Sequence, residues 1–320
     1  MNIYFHIGYP KSGSTYIQKR IFDKLNRTIY LGLNNSKQND KLKFMLKEFY
    51  DGIVKEKKIE DSKILYLRKL KKKILDNFKH RDEIIIFSSE LMTSSWFANS
   101  DNFFKADLLK KVFNSEELKI IFCFRNQLNI IKSQYHDHPF TPNDIYKGPP
   151  VNIDKWIDIL QQESRPNFLE NIKYDIILNH YIKLFGKSNI FAFPIEILNQ
   201  DKNAFVKNLS QFIKCNKNEL LSLITETKIN KRKPYYNYIV IKYERSLKNN
   251  FPRLLTIINY IKDSRFLLKF KTKIKIFFTK YNREVNISHN HIILINLTYS
   301  KSNIKLSKLL NIDLKKFDYF

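Results

Sequence analysis

Four short apolar runs, Ile3 to Ile7, Ile84 to Phe87, Lys119 to Phe124 and Asn189 to Pro194, punctuate the chain and are separated by stretches of helical periodicity. Runs of this length, rich in β-branched and aromatic residues, suit buried strands. Strands alternating with helices predict a parallel sheet covered on both faces, a three-layer α/β/α architecture whose ligands sit at the carboxyl ends of the strands. At 320 residues and 43% hydrophobic composition the chain can bury a sizeable core, which excludes a disordered protein. No Gly/Ser linker or internal repeat divides it, so a single domain over residues 1–320 is expected, with a basic, aromatic accessory segment at about 235–300. The lysine-rich stretch from Leu42 to Phe78 is helical in pattern and reads as a solvated outer layer.

The first strand runs into Gly8-Tyr9-Pro10-Lys11-Ser12-Gly13-Ser14-Thr15, and two of the chain's six glycines stand in this octet. Beyond it Ile17, Ile21 and Leu25 recur every four residues, one face of a helix. Strand, glycine turn and helix is the context of a phosphate cradle, with the first helical amides and the positive dipole end facing an anion. A nucleotide-triphosphate loop carries its lysine directly after the second glycine. Here Ser14 occupies that place and Lys11 lies inside the loop. The alternative is an ordinary strand-to-helix turn, with Lys11 solvated and Ser14 a helix cap.

Two further strands end in charged residues at the same edge. Arg125 follows Phe122-Cys123-Phe124, and Ser133 stands eight residues on, about two turns into the following helix, where it approaches the same anion. A guanidinium fork with a hydroxyl suits a phosphate monoester. Glu90 closes Ile86-Phe87-Ser88-Ser89-Glu90. It is poorly placed to bind an anion and well placed to take a proton from an acceptor hydroxyl. Its alternative role is a structural partner of Arg125 or Lys11. His136 and His138 flank Asp137 beside a segment carrying Pro139, Pro142, Gly148, Pro149 and Pro150, which reads as the rim or lid of a site. No further ligands join these histidines, so no metal is expected.

The formal net charge of +26 calls for acidic partners. Lys, Ile and Asn abound throughout, and no helix-turn-helix, zinc-finger or RNA-binding signature accompanies them, so no specific nucleic acid is expected. Cys123 and Cys215 give neither a disulfide framework nor a metal spacing. Apolar runs such as Ile292 to Leu297 are too short to span a bilayer, and the first strand begins without a signal-peptide pattern. A cytoplasmic location is expected, extending to the inner face of the membrane through peripheral contact with anionic lipid.

Together these motifs resemble the sulfotransferases that use 3′-phosphoadenosine 5′-phosphosulfate, PAPS. Pro10, Lys11, Ser12, Gly13, Ser14 and Thr15 look like that family's 5′-phosphosulfate loop, and Arg125-Asn126 with Ser133 and Tyr135 looks like its 3′-phosphate motif. Gln127 departs from the proline usual there. Phe185-Gly186 leading to Ile190 through Glu196 and Leu198 is similar to the family's late strand, and Ser302-Asn303 through Tyr319 to the tail of bacterial carbohydrate-type members. The likeness covers roughly Met1 to Lys233 and returns after Lys301. It implies a bacterial-type enzyme moving a sulfuryl group from PAPS to a hydroxyl of a glycan or glycolipid and releasing adenosine 3′,5′-bisphosphate, PAP, with no metal required. Lys11 would then contact the 5′-phosphate and the leaving bridge oxygen, Arg125 and Ser133 the 3′-phosphate, and Glu90 would be the base, with His136 the other candidate. Lys231 and Arg232, in the basic run Asn230 to Lys233, would close over the nucleotide, unless that run is only a solvated face. The rivals are a P-loop kinase-like phosphotransferase, and a basic nucleic-acid or membrane-surface binder with a vestigial nucleotide pocket. Against the first, the lysine after Gly13 is missing and no second metal-binding acid stands out.

Overall fold

A computed structural model describes residues 2–33, 35, 37–78, 84–94, 101–113, 118–137, 152–162, 168–224 and 285–320. Five strands, β1 (Asn2–His6), β2 (Thr28–Gly32), β3 (Ile84–Ser88), β4 (Leu118–Phe124) and β5 (Ile190–Pro194), form one sheet in the order β2-β3-β1-β4-β5. Every pairing is parallel, with Phe5 opposite Phe87 on one side and Ile120 on the other. The α/β class and central parallel sheet are therefore as expected. The four apolar runs correspond to β1, β3, β4 and β5; β2 is an edge strand with the mixed sequence Thr-Ile-Tyr-Leu-Gly.

The principal helices are α1 (Ser14–Tyr16, continuing as a π-helical turn over Ile17–Phe22), α2 (Asp40–Val54), α3 (Asp61–Asp76), α4 (Asn102–Val112), α5 (Gln127–Asp137), α6 (Ile153–Gln161), α7 (Tyr174–Phe185), α8 (Lys202–Ile213) and α9 (His289–Leu310). The lysine-rich stretch folds into α2 and α3, each with one apolar stripe buried: Leu46, Phe49 and Ile53 on α2, Leu67, Leu70 and Ile74 on α3. The chain leaves β1 towards β2 on one side, and leaves β4 towards β5 on the other. The crevice between the carboxyl ends of β1 and β4 is thus the switch point of the sheet, the position at which such folds bind ligands.

Two compact units emerge from the packing. The first holds Met1–Ile130, Ser164–Asn230 and Ile295–Phe320, and contains the whole sheet. The second holds Ile131–Glu163 and Lys231–Leu294. Within it Tyr135 meets Trp156 edge-on at 5.6 Å, and His291 Nε2 lies 2.9 Å from Asp158 Oδ1. The expected lid (138–151), Lys231 and Arg232, and most of the basic segment lie outside the described residues. Among the described residues no helix is long and apolar enough to cross a membrane.

Candidate active site at the β1–β4 crevice

The octet begins by prolonging the sheet. Ile7 N donates to Ile121 O at 3.0 Å, Tyr9 N to Cys123 O at 2.6 Å and Cys123 N to Gly8 O at 3.3 Å, so the loop grows directly from the pairing of β1 with β4. Tyr9 is fully buried, its hydroxyl donating to Asn171 O at 2.6 Å and its ring standing edge-on to Tyr174 at 4.8 Å. Pro10 is buried behind it. Gly8, Lys11 and Gly13 all have positive φ, at 76°, 67° and 77°. For Lys11 this left-handed backbone costs roughly 1–2 kcal/mol, strain of the kind that concentrates at functional sites.

Ser12 and Ser14 have different jobs. The Ser12 hydroxyl is fully buried, donating to Tyr9 O and 3.1 Å from Cys123 O, while Cys123 Sγ returns a bond to Ser12 O at 3.2 Å. Ser12 therefore shapes the loop from beneath. The Ser14 hydroxyl lies within hydrogen-bond reach of the Glu90 carboxyl and 3.4 Å from Tyr9 O. Above them, the backbone amides of Gly13, Ser14 and Thr15 have no backbone acceptor among the described residues, whereas Tyr16 N and Ile17 N already donate to Gly13 O. Three amides at the start of a helix, beside a half-buried Lys11, fit an anion such as the 5′-phosphosulfate of a nucleotide. The helix behind them departs from the expected α periodicity. Asp23 N bonds Gln18 O, five residues back, yet Ile17, Ile21 and Leu25 are all buried. Such π turns inside helices are frequent at functional sites.

Glu90 opens a short 3-10 turn, Glu90–Thr93, just past β3. Burial pushes its pKa up, and the Ser14 hydrogen bond and the Lys11 charge pull it partly back down. A carboxyl so placed is a stronger proton acceptor than an exposed one. Gly8 is what lets it approach: a Cβ at Gly8 would come within 3.1 Å of Glu90 Cα and 3.2 Å of its Cβ and Cγ.

Arg125 leaves β4 half-buried, and its Nη1 donates to Lys11 O at 3.1 Å, tying the two halves of the expected nucleotide site to each other. That bond uses a single N–H of a guanidinium fork built to hold an oxyanion with several. The Tyr174 hydroxyl donates to Arg125 O at 2.7 Å, and Asn126 N to Glu196 Oε1 at 3.0 Å. Burial raises the Glu196 pKa, countered by the Asn126 amide, the Arg125 charge and the Tyr319 hydroxyl. Lys11, Gly13, Ser14, Thr15, Glu90 and Arg125 thus share one edge of the sheet. Ser133 is half-buried on α5, in the second unit; the backbone of His136 continues that helix, and its side chain lies outside the described residues.

Two supporting clusters escape sequence reasoning. Beneath the loop His6 Nδ1 lies 2.8 Å from Ser88 Oγ, Gln18 Nε2 donates to the same oxygen at 3.0 Å, and Ser88 N donates to the Tyr50 hydroxyl at 3.0 Å. Burial alone holds the His6 pKa down, at about 3, so its ring is a neutral strut between β1, β3 and the helix. Beside Glu90, Lys105 is fully buried on α4 and donates to Leu91 O at 2.8 Å, Ser94 O at 3.2 Å and Asn102 Oδ1 at 3.4 Å. Asn102 Nδ2 adds a bond to Thr93 O at 3.2 Å. One signal for Lys105 was present in the chain: it stands four residues before Leu109, on the apolar face of its helix.

The family model for the sulfotransferase domain matches residues 4–249, which include the loop, Glu90, Arg125 and Ser133. The chain belongs to the sulfotransferase family. The solved structure of a sulfotransferase from Alicyclobacillus acidocaldarius shares the fold, with a TM-score of 0.53, 10% identity and 99% of each chain covered. A stretch of the protein Ycf2 from Physcomitrium patens is 26% identical over 330 residues, covering 88% of this chain and 14% of that protein's length. The chain thus spans about a seventh of Ycf2, and that likeness carries no functional conclusion. Membership of the family removes the kinase rival. Among the described residues no group of three or more His, Cys, Asp and Glu side chains is arranged to hold a metal ion.

Proposed function

We propose that this sulfotransferase uses PAPS as donor and sulfates a hydroxyl of a glycan or glycolipid. The observation that carries the donor is the Arg125 to Lys11 bond at 3.1 Å, which joins a cation suited to a phosphate monoester to a loop with three amides that have no backbone acceptor among the described residues. Lys11, Gly13, Ser14 and Thr15 hold the 5′-phosphosulfate, and Arg125 takes the 3′-phosphate.

Glu90 accepts the proton of the acceptor hydroxyl as its oxygen attacks sulfur. The bond from sulfur to the bridging oxygen breaks in line, and Lys11 neutralises the charge gathering on that oxygen as PAP leaves. Positive groups fixed beforehand stabilise this charge without reorganising. His136 is the other candidate base. The glycan acceptor rests on the resemblance to carbohydrate-type members. The charge of +26 supports peripheral contact with an anionic membrane, where a glycolipid acceptor would be found.

Calorimetric titration with PAP in magnesium-free buffer tests the donor site. Saturable binding by the wild type, lost in both Lys11→Ala and Arg125→Ala, is expected; a folded wild type that does not bind PAP overturns the reading. Transfer of labelled sulfate from PAPS to a panel of glycans and glycolipids then tests the acceptor.

A further inference from the structure

The two residues after Arg125 are held by the far end of the chain. Gln127 Nε2 donates to Asn303 Oδ1 at 2.9 Å, and Asn303 Nδ2 returns the bond to Gln127 Oε1 at 3.1 Å. The second hydrogens of these amides go to Ile172 O at 3.3 Å and Tyr319 O at 2.7 Å, so every donor of the pair is used. Both side chains are buried, Asn303 at 1% exposure and Gln127 at 3%. Next to them, Asn126 Nδ2 donates to Asp318 O, and Asn126 Oδ1 caps α5 by accepting from Asn129 N at 3.2 Å. The Tyr319 hydroxyl reaches Glu196 Oε2 at 3.3 Å, on the carboxylate whose other oxygen holds Asn126 N. The Tyr319 ring stands edge-on to Phe124 at 5.8 Å.

We propose that Asn303, Asp318 and Tyr319 form a C-terminal clasp that positions Arg125 and thereby sets the enzyme's selectivity for a nucleotide bearing a 3′-phosphate. The inference rests on the reading that Arg125 receives that phosphate. Among the described residues, Arg125 Nη1 donates to Lys11 O, its carbonyl accepts from the Tyr174 hydroxyl, and its charge acts on Glu196. Its backbone direction is fixed by Asn126 and Gln127, and the tail pins both of those residues. A fully satisfied buried amide network tolerates one arrangement, because losing one partner leaves the other unpaired in a dry site. The bonds that tie Asn303, Asp318 and Tyr319 to the site run to Asn126, Gln127 and Glu196, not to the loop amides or Glu90, so they are positioning residues.

The test compares calorimetric affinities for PAP and for adenosine 5′-monophosphate, which lacks the 3′-phosphate. Asn303→Leu is expected to weaken PAP about tenfold or more, as small misplacements of a binding group do, while leaving the monophosphate unchanged. Tyr319→Phe, which removes only the hydroxyl on Glu196, should shift the ratio in the same direction by less. The double variant Gln127→Pro with Asn303→Leu should recover selectivity: proline is tolerated at the first residue of a helix and fixes the turn without an amide partner. Equal weakening of both nucleotides, or none, in the clasp variants overturns the inference. Arg125→Ala separates the two ideas. If it abolishes selectivity while the clasp variants keep it, only the clasp falls; if it leaves selectivity intact, the reading of Arg125 falls and the clasp with it.

Discussion

Adding one methyl group at Gly13 tests whether the loop has the shape on which the site depends. Gly13 caps α1 with φ 77° and ψ 10°, a left-handed conformation that costs a non-glycine residue roughly 1–2 kcal/mol. An alanine Cβ there would also stand 2.7 Å from Ile195 Cγ1 and 3.0 Å from its Cδ1. The Ile195 backbone is held, its amide donating to Phe124 O at 2.8 Å, so room for the methyl must come from turning the Ile195 side chain. Overpacking of this kind costs about 1–3 kcal/mol, so Gly13→Ala should cost roughly 2–5 kcal/mol in total. The loss appears as stability if the loop holds its shape, and as nucleotide affinity if the loop yields. Urea unfolding and calorimetric titration with PAP, read together, capture both. Ile195→Ala supplies the control. It removes the two clashing atoms and keeps Ile195 Cβ, which lies 3.9 Å from the added methyl. In that background Gly13→Ala should cost only the backbone part, about 1–2 kcal/mol. An undiminished cost in the Ile195→Ala background would show that the clash is not the cause. A total cost below about 0.5 kcal/mol, the range of neutral surface changes, would refute the left-handed loop itself.

Two further outcomes concern the groups around Glu90. Glu90→Gln should lower turnover about 10²- to 10⁴-fold while PAP affinity stays within about twofold, and single-turnover assays separate these. Because the folded-state pKa of Glu90 is raised, stability falls as pH rises from the unfolded value into the folded one; the variant should therefore be no less stable than wild type at pH 7, and the wild-type rate should climb with pH through a value above the ordinary carboxylate range. Burial lowers the Lys105 pKa to about 7, against roughly 10.4 for a free lysine, so the unfolded chain binds the extra proton between those values. Wild-type stability should then rise from about pH 7 to about pH 10 by a few kcal/mol at most, since three oxygen acceptors favour the ammonium, and Lys105→Met should remove that slope in urea titrations. A slope unchanged in the variant would assign it to another group.

The strands and the glycine-containing loop were legible because they are encoded by neighbours. β1, β3, β4 and β5 are apolar runs, and the loop is two glycines and a lysine within eight residues, each part recognisable from local geometry alone. Edge strand β2 was hidden in a five-residue mixture of polar and apolar residues whose outer half is only partly buried. The helix after the loop shows where a local period misleads: spacing by four predicts an α-helix, and packing of Ile17, Ile21 and Leu25 is satisfied equally by a π turn.

Arg125, Glu90 and Lys11 could be named from the chain because each sits next to a recognisable strand or loop. Their meeting depends on the strand order β2-β3-β1-β4-β5, which puts β1 between β3 and β4 and so brings residues 11, 90 and 125 to one edge. Nothing in the spacing of those residues states that order. Gln127 and Asn303 are 176 positions apart, Asn126 and Asp318 192. A sequence pattern carries periodicity over a few turns of helix or strand, set by bonds between near neighbours. Which buried amide finds which partner across the chain is decided by the topology that closes around them, and here that closure gives Arg125 its direction.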